Sequence, residues 1–275
     1  MASPCEILID TDNENLANKI TKIAAEEAWR IEKKFSRYRD DSVVSDINRS
    51  NGQSIEVDDE TGRLIDFADH CYQLSDGLFD ITSGLLRTIW IFDGKHAPPT
   101  QKQAKELLEN IGWDKITWNS PTIMLPKKME IDLGGIGKEY AVDCSAKLIS
   151  EQFDAPVLVN FGGDLFANKP PRQQTSWHVG IEMLPQASDL TRLELKQGAL
   201  TTSGDARRFI DYQGKRYSHV LNPHTGWPVS QAPRSVTVAG NTCIEAGFIS
   251  TMAMLKGKDA ETFLAEQAVK HWVQH

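Results

Sequence analysis

Leu16, Ile20, Ile23, Ala24, Ala28, Ile31 and Phe35 recur every three or four residues, which predicts a long amphipathic helix over 13–36. Such a helix needs an apolar surface to cover its stripe, so the rest of the chain must supply one. Further helices are expected over 60–75, over 101–111 after the Pro98-Pro99 break, and from Ile136, where Ile136, Tyr140, Ala141, Cys144 and Leu148 share a face. Residues 244–256 and 258–271 read as closing helices. Between these lie short β-type runs at 6–9, 156–161, 178–181, 192–195, 209–212, 216–221 and 235–239. Gln213-Gly214 separates two of them and predicts a hairpin, hence antiparallel pairing. The expected class is α+β: mostly antiparallel sheet packed with helices. No repeat, low-complexity tract or linker-like shift divides the chain, so a single domain over 1–275 is expected.

Composition narrows the function. A chain of 275 residues can bury a large core. No stretch approaches the roughly 18–20 apolar residues of a membrane helix, so no membrane span is expected. With 38 acidic against 30 basic residues and no Lys/Arg block, the electrostatic footprint of a nucleic-acid binder is missing. Cys5, Cys71, Cys144 and Cys243 are far apart and form no CxxC pair, which argues against a zinc site and predicts reduced, mostly buried thiols.

The signatures GxSxG, HExxH, GxxxxGK[ST] and GxGxxG do not occur. What stands out is Ile131-Asp132-Leu133-Gly134-Gly135-Ile136-Gly137-Lys138, a strand-like end that runs through three glycines into a helix. Glycines let backbone approach a ligand, a helix start offers free N–H groups to an anion, and Lys138 adds a positive charge. The segment suits a diphosphate, although a plain strand-to-helix turn uses the same residues. A second hydroxyl-rich segment, Thr201-Thr202-Ser203-Gly204-Asp205, leads through the hairpin to Ser218-His219-Val220-Leu221-Asn222-Pro223-His224-Thr225-Gly226-Trp227-Pro228. His219 reads either as a hydrogen-bonded core histidine or as the acceptor of a proton from an attacking hydroxyl.

In order along the chain, these segments resemble the ApbE flavin transferases. The resemblance takes in Met1-Ala2-Ser3, Phe35-Ser36-Arg37-Tyr38 with Asp41-Ser42 and Asn48, Gly77-Leu78-Phe79-Asp80, the 132–138 loop, Asn160-Phe161-Gly162-Gly163-Asp164, Thr202-Ser203-Gly204-Asp205 and 219–228. It implies that FAD lies across Met1, Tyr38, Leu78, Phe79, Asp80, Asp132, Lys138 and Leu221, with His219 beside it. Tyr38 offers a ring face for stacking and Lys138 a charge for the diphosphate, while Tyr38 and Phe79 also read as ordinary core aromatics. The family's Mg²⁺ is held by a carbonyl of the glycine loop and by an Asp and a Thr one helical turn apart, and these positions map to Gly135, Gly247 and Thr251. Glycine at 247 removes a carboxylate, so weaker metal binding is expected, and restoring an acid with Gly247→Asp is expected to lower the Mg²⁺ requirement.

The implied activity is FAD:protein FMN transfer: FMN moves from FAD to a Thr or Ser hydroxyl of an acceptor flavoprotein and AMP leaves. Two alternatives share the site, namely an FAD pyrophosphatase in which water attacks, and a non-catalytic FAD-binding protein with a degenerate metal site. The N-terminus lacks the charged head and apolar run of a secretory signal, so a cytoplasmic location is expected; a trimmed lipoprotein leader would make it periplasmic.

Overall fold

The computed structural model describes residues 3–182, 191–206 and 208–275. Strand β1 (Cys5–Ile9) opens the chain and leads to α1 (Glu14–Phe35), where the apolar spacing required a helix. Asn13 caps it by accepting from Leu16 N at 3.1 Å, and Ile20, Ala24, Ala28, Ile31 and Phe35 form its buried stripe. After α2 (Val43–Asn48) and β2 (Ser54–Glu56), α3 (Asp59–Leu74) begins at a capping Asp58. A 3-10 turn over Ile81–Thr88 and α4 (Gln101–Leu108) precede β3 (Thr117–Asn119) and β4 (Thr122–Met124), which form a small sheet with β2. Next come α5 (Gly137–Gln152), β5 (Val157–Phe161), β6 (Asp164–Ala167), β7 (Trp177–Ile181), β8 (Thr191–Leu195) and β9 (Gly198–Gly204). The chain continues through β10 (Phe209–Tyr212), β11 (Lys215–Ser218), β12 (Leu221–Asn222), β13 (Trp227–Pro228) and β14 (Ser235–Gly240). It closes with α6 (Cys243–Lys256), α7 (Ala260–Glu266) and β15 (His271–Gln274).

The central sheet has the order β1-β5-β6-β9-β14-β15, and every strand pairing among the described residues is antiparallel. The class is therefore the expected α+β. Both faces of the sheet are covered, and β5 shows how. Val157, Val159 and Phe161 join the main core with α1, α5 and α6, while Leu158 points the other way, into a cluster with Trp177, Val179 and Leu195 of the β7–β8 hairpin. A third cluster gathers Trp90, Leu86, Ile210, Tyr217 and Trp227. The predicted hairpin is present between β10 and β11, with Gln213 and Gly214 both at positive φ (51° and 74°), the mirror-image turn that matches strand twist.

Two expected elements differ. The 258–271 helix stops at Glu266, the backbone reverses at Ala268 (φ 53°), and His271–Gln274 pairs with β14. The single 216–221 strand is broken between Ser218 and Leu221, and His219 falls in the break. The four cysteines are free; Cys71 and Cys243 are buried as expected, whereas Cys5 is exposed. No helix among the described residues is long and apolar enough to cross a membrane.

Candidate active site

The glycine loop is held from both sides. Asn48, on α2, accepts from Ile131 N at 2.8 Å and donates to Ile131 O at 3.0 Å, while Asp132 N donates to Ile81 O at 2.8 Å. One oxygen of Asp132 accepts from Gly134 N at 2.9 Å, which folds the loop over, and the other is bonded to Nη1 of Arg37. Arg37 in turn lies 4.8 Å from the Tyr38 ring centroid and donates to its hydroxyl at 2.7 Å. Tyr38 is 76% exposed, so it is no core aromatic: an open ring stands beside the loop, backed by a guanidinium. The close approach is tight, because a Cβ on Gly84 would lie 2.5 Å from Cβ of Asp132.

Helix α5 starts directly after the loop without a side-chain cap, its Gly137 N–H donating back to Leu133 O at 2.7 Å, and the positive end of a helix dipole favours an anion. Lys138, in its first turn, is ion-paired with the buried Asp164, whose other oxygen accepts from Thr202 N at 3.3 Å. The Lys138 ammonium also sits 3.5 Å from Glu139 Oε1. Gly162 N donates to Pro4 O at 2.8 Å, so the start of the chain reaches the same side. Met1 itself lies outside the described residues.

Helix α6 borders the loop from the other direction. Phe79 is buried and meets Phe248 edge-on at 5.4 Å, and a Cβ on Gly135 would contact the Phe79 ring at 3.4 Å. Gly135, Phe79 and α6 are thus neighbours, and Leu78 precedes Phe79 in the chain. Thr251 shares a hydrogen bond of 3.0 Å with the Ser203 hydroxyl, which also bonds Ser250 at 2.8 Å. One turn back on α6, Gly247 is buried against α5: a Cβ there would lie 2.6 Å from Cγ of Glu139. Glu139 is 9% exposed, its Oε2 has no hydrogen-bond partner, and burial pushes its pKa up. The room that the carboxylate of Gly247→Asp would need is thus taken by the side chain of Glu139.

Asp80 is spoken for within the fold. Its Oδ1 accepts from Thr82 N at 2.7 Å and Thr82 Oγ1 at 2.6 Å, its Oδ2 from Trp113 N at 3.1 Å, and burial raises its pKa. It still lines an open cleft with Tyr72, Lys115, Pro223 and His224. The 219–228 segment packs against this region: Trp90 Nε1 donates to Gly226 O at 2.8 Å, and His224 Nε2 stands 3.0 Å from where a Cβ on Gly77 would be. Leu221 pairs with Pro228. His219 Nδ1 is 3.0 Å from the Arg208 carbonyl, which can only accept, so Nδ1 carries the proton and Nε2 its lone pair. Burial, then the charge of Arg208, lowers the His219 pKa and so disfavours its cationic form.

The sequence had singled out neither Arg37, Glu139 nor Asp164 as a site residue. Arg37 and Asp164 stand inside segments that carry the family resemblance, beside Tyr38 and after the Gly162-Gly163 turn, and each faces an opposite charge of the same site. The contact between Glu139 and Gly247 leaves no trace in either stretch of sequence.

The ApbE family profile matches residues 1–272. The FAD:protein FMN transferase of Vibrio cholerae serotype O1 is 28% identical over 93% of this chain and 77% of its own length, and that of Escherichia coli strain K12 is 28% identical over 82% and 67%. The crystal structure of the ApbE protein from Thermotoga maritima superposes with a TM-score of 0.88 at 30% identity, covering 98% of this chain and 90% of the other. The flavin transferase ApbE from Vibrio cholerae, at 24% identity and a TM-score of 0.80 over 98% of both chains, shares the fold. With a match that runs from the first residue to the last strand, this chain belongs to the ApbE family.

Proposed function

We propose that this protein transfers FMN from FAD to a Thr or Ser hydroxyl of an acceptor flavoprotein and releases AMP, with Mg²⁺ assisting. One observation carries the reading. Segments from eight parts of the chain touch in series: Pro4 with Gly162, Asp164 with Lys138 and Thr202, Ser203 with Thr251, Gly247 with Glu139, Phe248 with Phe79, Phe79 with Gly135, Asp132 with Arg37, and Gly77 with His224. Packing alone does not require that every Gly-, Asp- and hydroxyl-rich segment converge, whereas a ligand as long as a dinucleotide does.

In this reading Tyr38 stacks on a ring of FAD, and Lys138 with the start of α5 holds the diphosphate, for which Asp164 keeps the ammonium in place meanwhile. The hydroxyl of Thr251 and the carbonyl of Gly135 are the kind of neutral oxygen a hard divalent cation takes. Bound there, Mg²⁺ would neutralise charge on the diphosphate. The acceptor hydroxyl gives its proton to His219 Nε2 and its oxygen bonds to the FMN phosphorus, while the bond from that phosphorus to the bridging oxygen breaks and AMP departs. Incubation with FAD, Mg²⁺ and an acceptor domain should give a fluorescent flavinylated band and one AMP per transfer. AMP without a band would point to water as the nucleophile, and neither product to binding alone.

A further inference from the structure

We propose that Glu139 is a magnesium ligand of this chain, supplying from α5 the carboxylate that position 247 of α6 lacks. The inference rests on the metal site of the proposed function and concerns which side chain completes it.

Three observations lead to it. First, Glu139 lies across Gly247, because a Cβ at 247 would be 2.6 Å from its Cγ, 3.3 Å from Cδ and 3.4 Å from Oε1. The carboxyl group therefore occupies the space that a short acidic side chain at 247 would fill. Second, Oε2 is buried without a hydrogen-bond partner, and the group as a whole is only 9% exposed. A buried carboxylate oxygen left unpaired costs stability, so its retention calls for a partner that completes it. Lys138 does not serve: its ammonium is bonded to Asp164 and only reaches Oε1 of Glu139, at 3.5 Å. Third, Thr251 follows Gly247 by one helical turn and so lies on the same face of α6. Its hydroxyl is oriented by Ser203 at 3.0 Å.

Glycine in the middle of α6 is itself informative. Gly weakens a helix interior, yet here any Cβ would collide with Glu139, so the two residues are complementary: the glycine on α6 makes room for the acid on α5. Among the described residues no group of three or more His, Cys, Asp or Glu is placed to hold a metal. One carboxylate with neutral oxygens makes a weak site that gains most of its strength from a bound diphosphate.

The test is Mn²⁺ binding followed by electron paramagnetic resonance, with and without ADP, which carries the diphosphate without transferable FMN. Wild type with ADP should bind one Mn²⁺ more tightly than ADP alone does. Glu139→Gln and Thr251→Val should each weaken that binding at least tenfold, and the exchange Glu139→Ala/Gly247→Asp should recover most of it. If Glu139→Gln binds Mn²⁺ like wild type while Thr251→Val does not, the inference is overturned and the metal site stands. If wild type with ADP retains no more Mn²⁺ than ADP does, the site itself falls and Glu139 with it. Near-UV circular dichroism checks the fold of each variant. Should Glu139→Gln misfold, Glu139→Asp, which keeps the charge but shortens the reach, must show the weakening, and unchanged binding by it overturns the proposal.

Discussion

At the scale of residues, His219 and Gly247 make opposite demands on their surroundings. His219 donates Nδ1–H to the Arg208 carbonyl, and burial with the nearby guanidinium disfavours its cationic form. A base works while neutral, so the transfer rate should be flat at neutral pH and fall as pH drops through a pKa below the ordinary imidazole value of about 6.5. In His219→Gln the amide keeps a donor toward Arg208 O. The expected outcome is transfer slowed roughly 10²- to 10⁴-fold, FAD affinity nearly unchanged and the acid limb gone; a fully active variant would remove His219 from the chemistry. For Gly247 the sequence alone suggested that an added Asp would improve the enzyme. The packing predicts the opposite, since Cβ of the new residue would press on Cγ of Glu139 and set two carboxylates side by side. Gly247→Asp alone should cost about 1–3 kcal/mol of stability, the usual range for overpacking, read as a lowered midpoint in urea, and should not lower the Mg²⁺ requirement.

Elements meet through charge as well as through the core. Arg30 of α1 donates to Glu27 at 2.7 Å and to Glu60 of α3 at 2.7 Å, Lys34 of α1 donates to Glu60 at 2.6 Å, and the Tyr140 hydroxyl of α5 donates to Glu60 at 2.9 Å. The Arg30 bonds chiefly hold the Glu60 carboxyl at a pKa of about 2, against about 4.3 in an unfolded chain. The folded pKa is the lower one, so this stabilisation is complete above the unfolded value and is lost as pH falls from there toward about 2. Glu60→Gln should therefore cost about 1–2 kcal/mol at pH 7, allowing for solvent exposure, with a deficit that shrinks by pH 3; denaturant melts at both pH values check it. These elements were legible in the sequence: the α1 stripe, the α5 face and the β10–β11 hairpin carry strong local signals. The errors fell where local and tertiary signals conflict. Residues 258–271 keep a helical composition, yet Ala268 turns into the left-handed region, which a non-glycine residue does not announce, and the following residues gain more by pairing with β14. The strand expected over 216–221 has no way to announce its break at His219. Glu139 was hidden for a related reason: its partner lies on another helix, and helical periodicity reports only the buried face.

At the scale of the whole molecule, the site exists only when the sheet and three helices are assembled. Arg37 follows α1, Lys138 begins α5, Gly247 and Thr251 ride on α6, and Asp164 and Ser203 come from neighbouring strands β6 and β9. A ligand that spans these positions binds the folded chain and not the unfolded one, so it should raise stability by mass action. FAD at a hundred times its Kd should add about 2.7 kcal/mol, on the order of 5–10 °C in Tm for a chain of this size. FMN carries one phosphate and no adenosine, so on the proposed assignment it lacks the groups to reach the α5 start and the open Tyr38 face together with the flavin end; at the same concentration it should move Tm by no more than about one or two degrees. ADP should recover much of the FAD shift, and Lys138→Ala, which removes the ammonium from the proposed diphosphate position and leaves Asp164 without its ion pair, should reduce the shifts from FAD and ADP alike. Melts monitored by circular dichroism, free of interference from flavin fluorescence, distinguish the cases. Equal shifts from FAD and FMN would mean that the flavin end alone is recognised, and the diphosphate assignment of Asp132, Lys138 and the glycine loop between them would have to be given up.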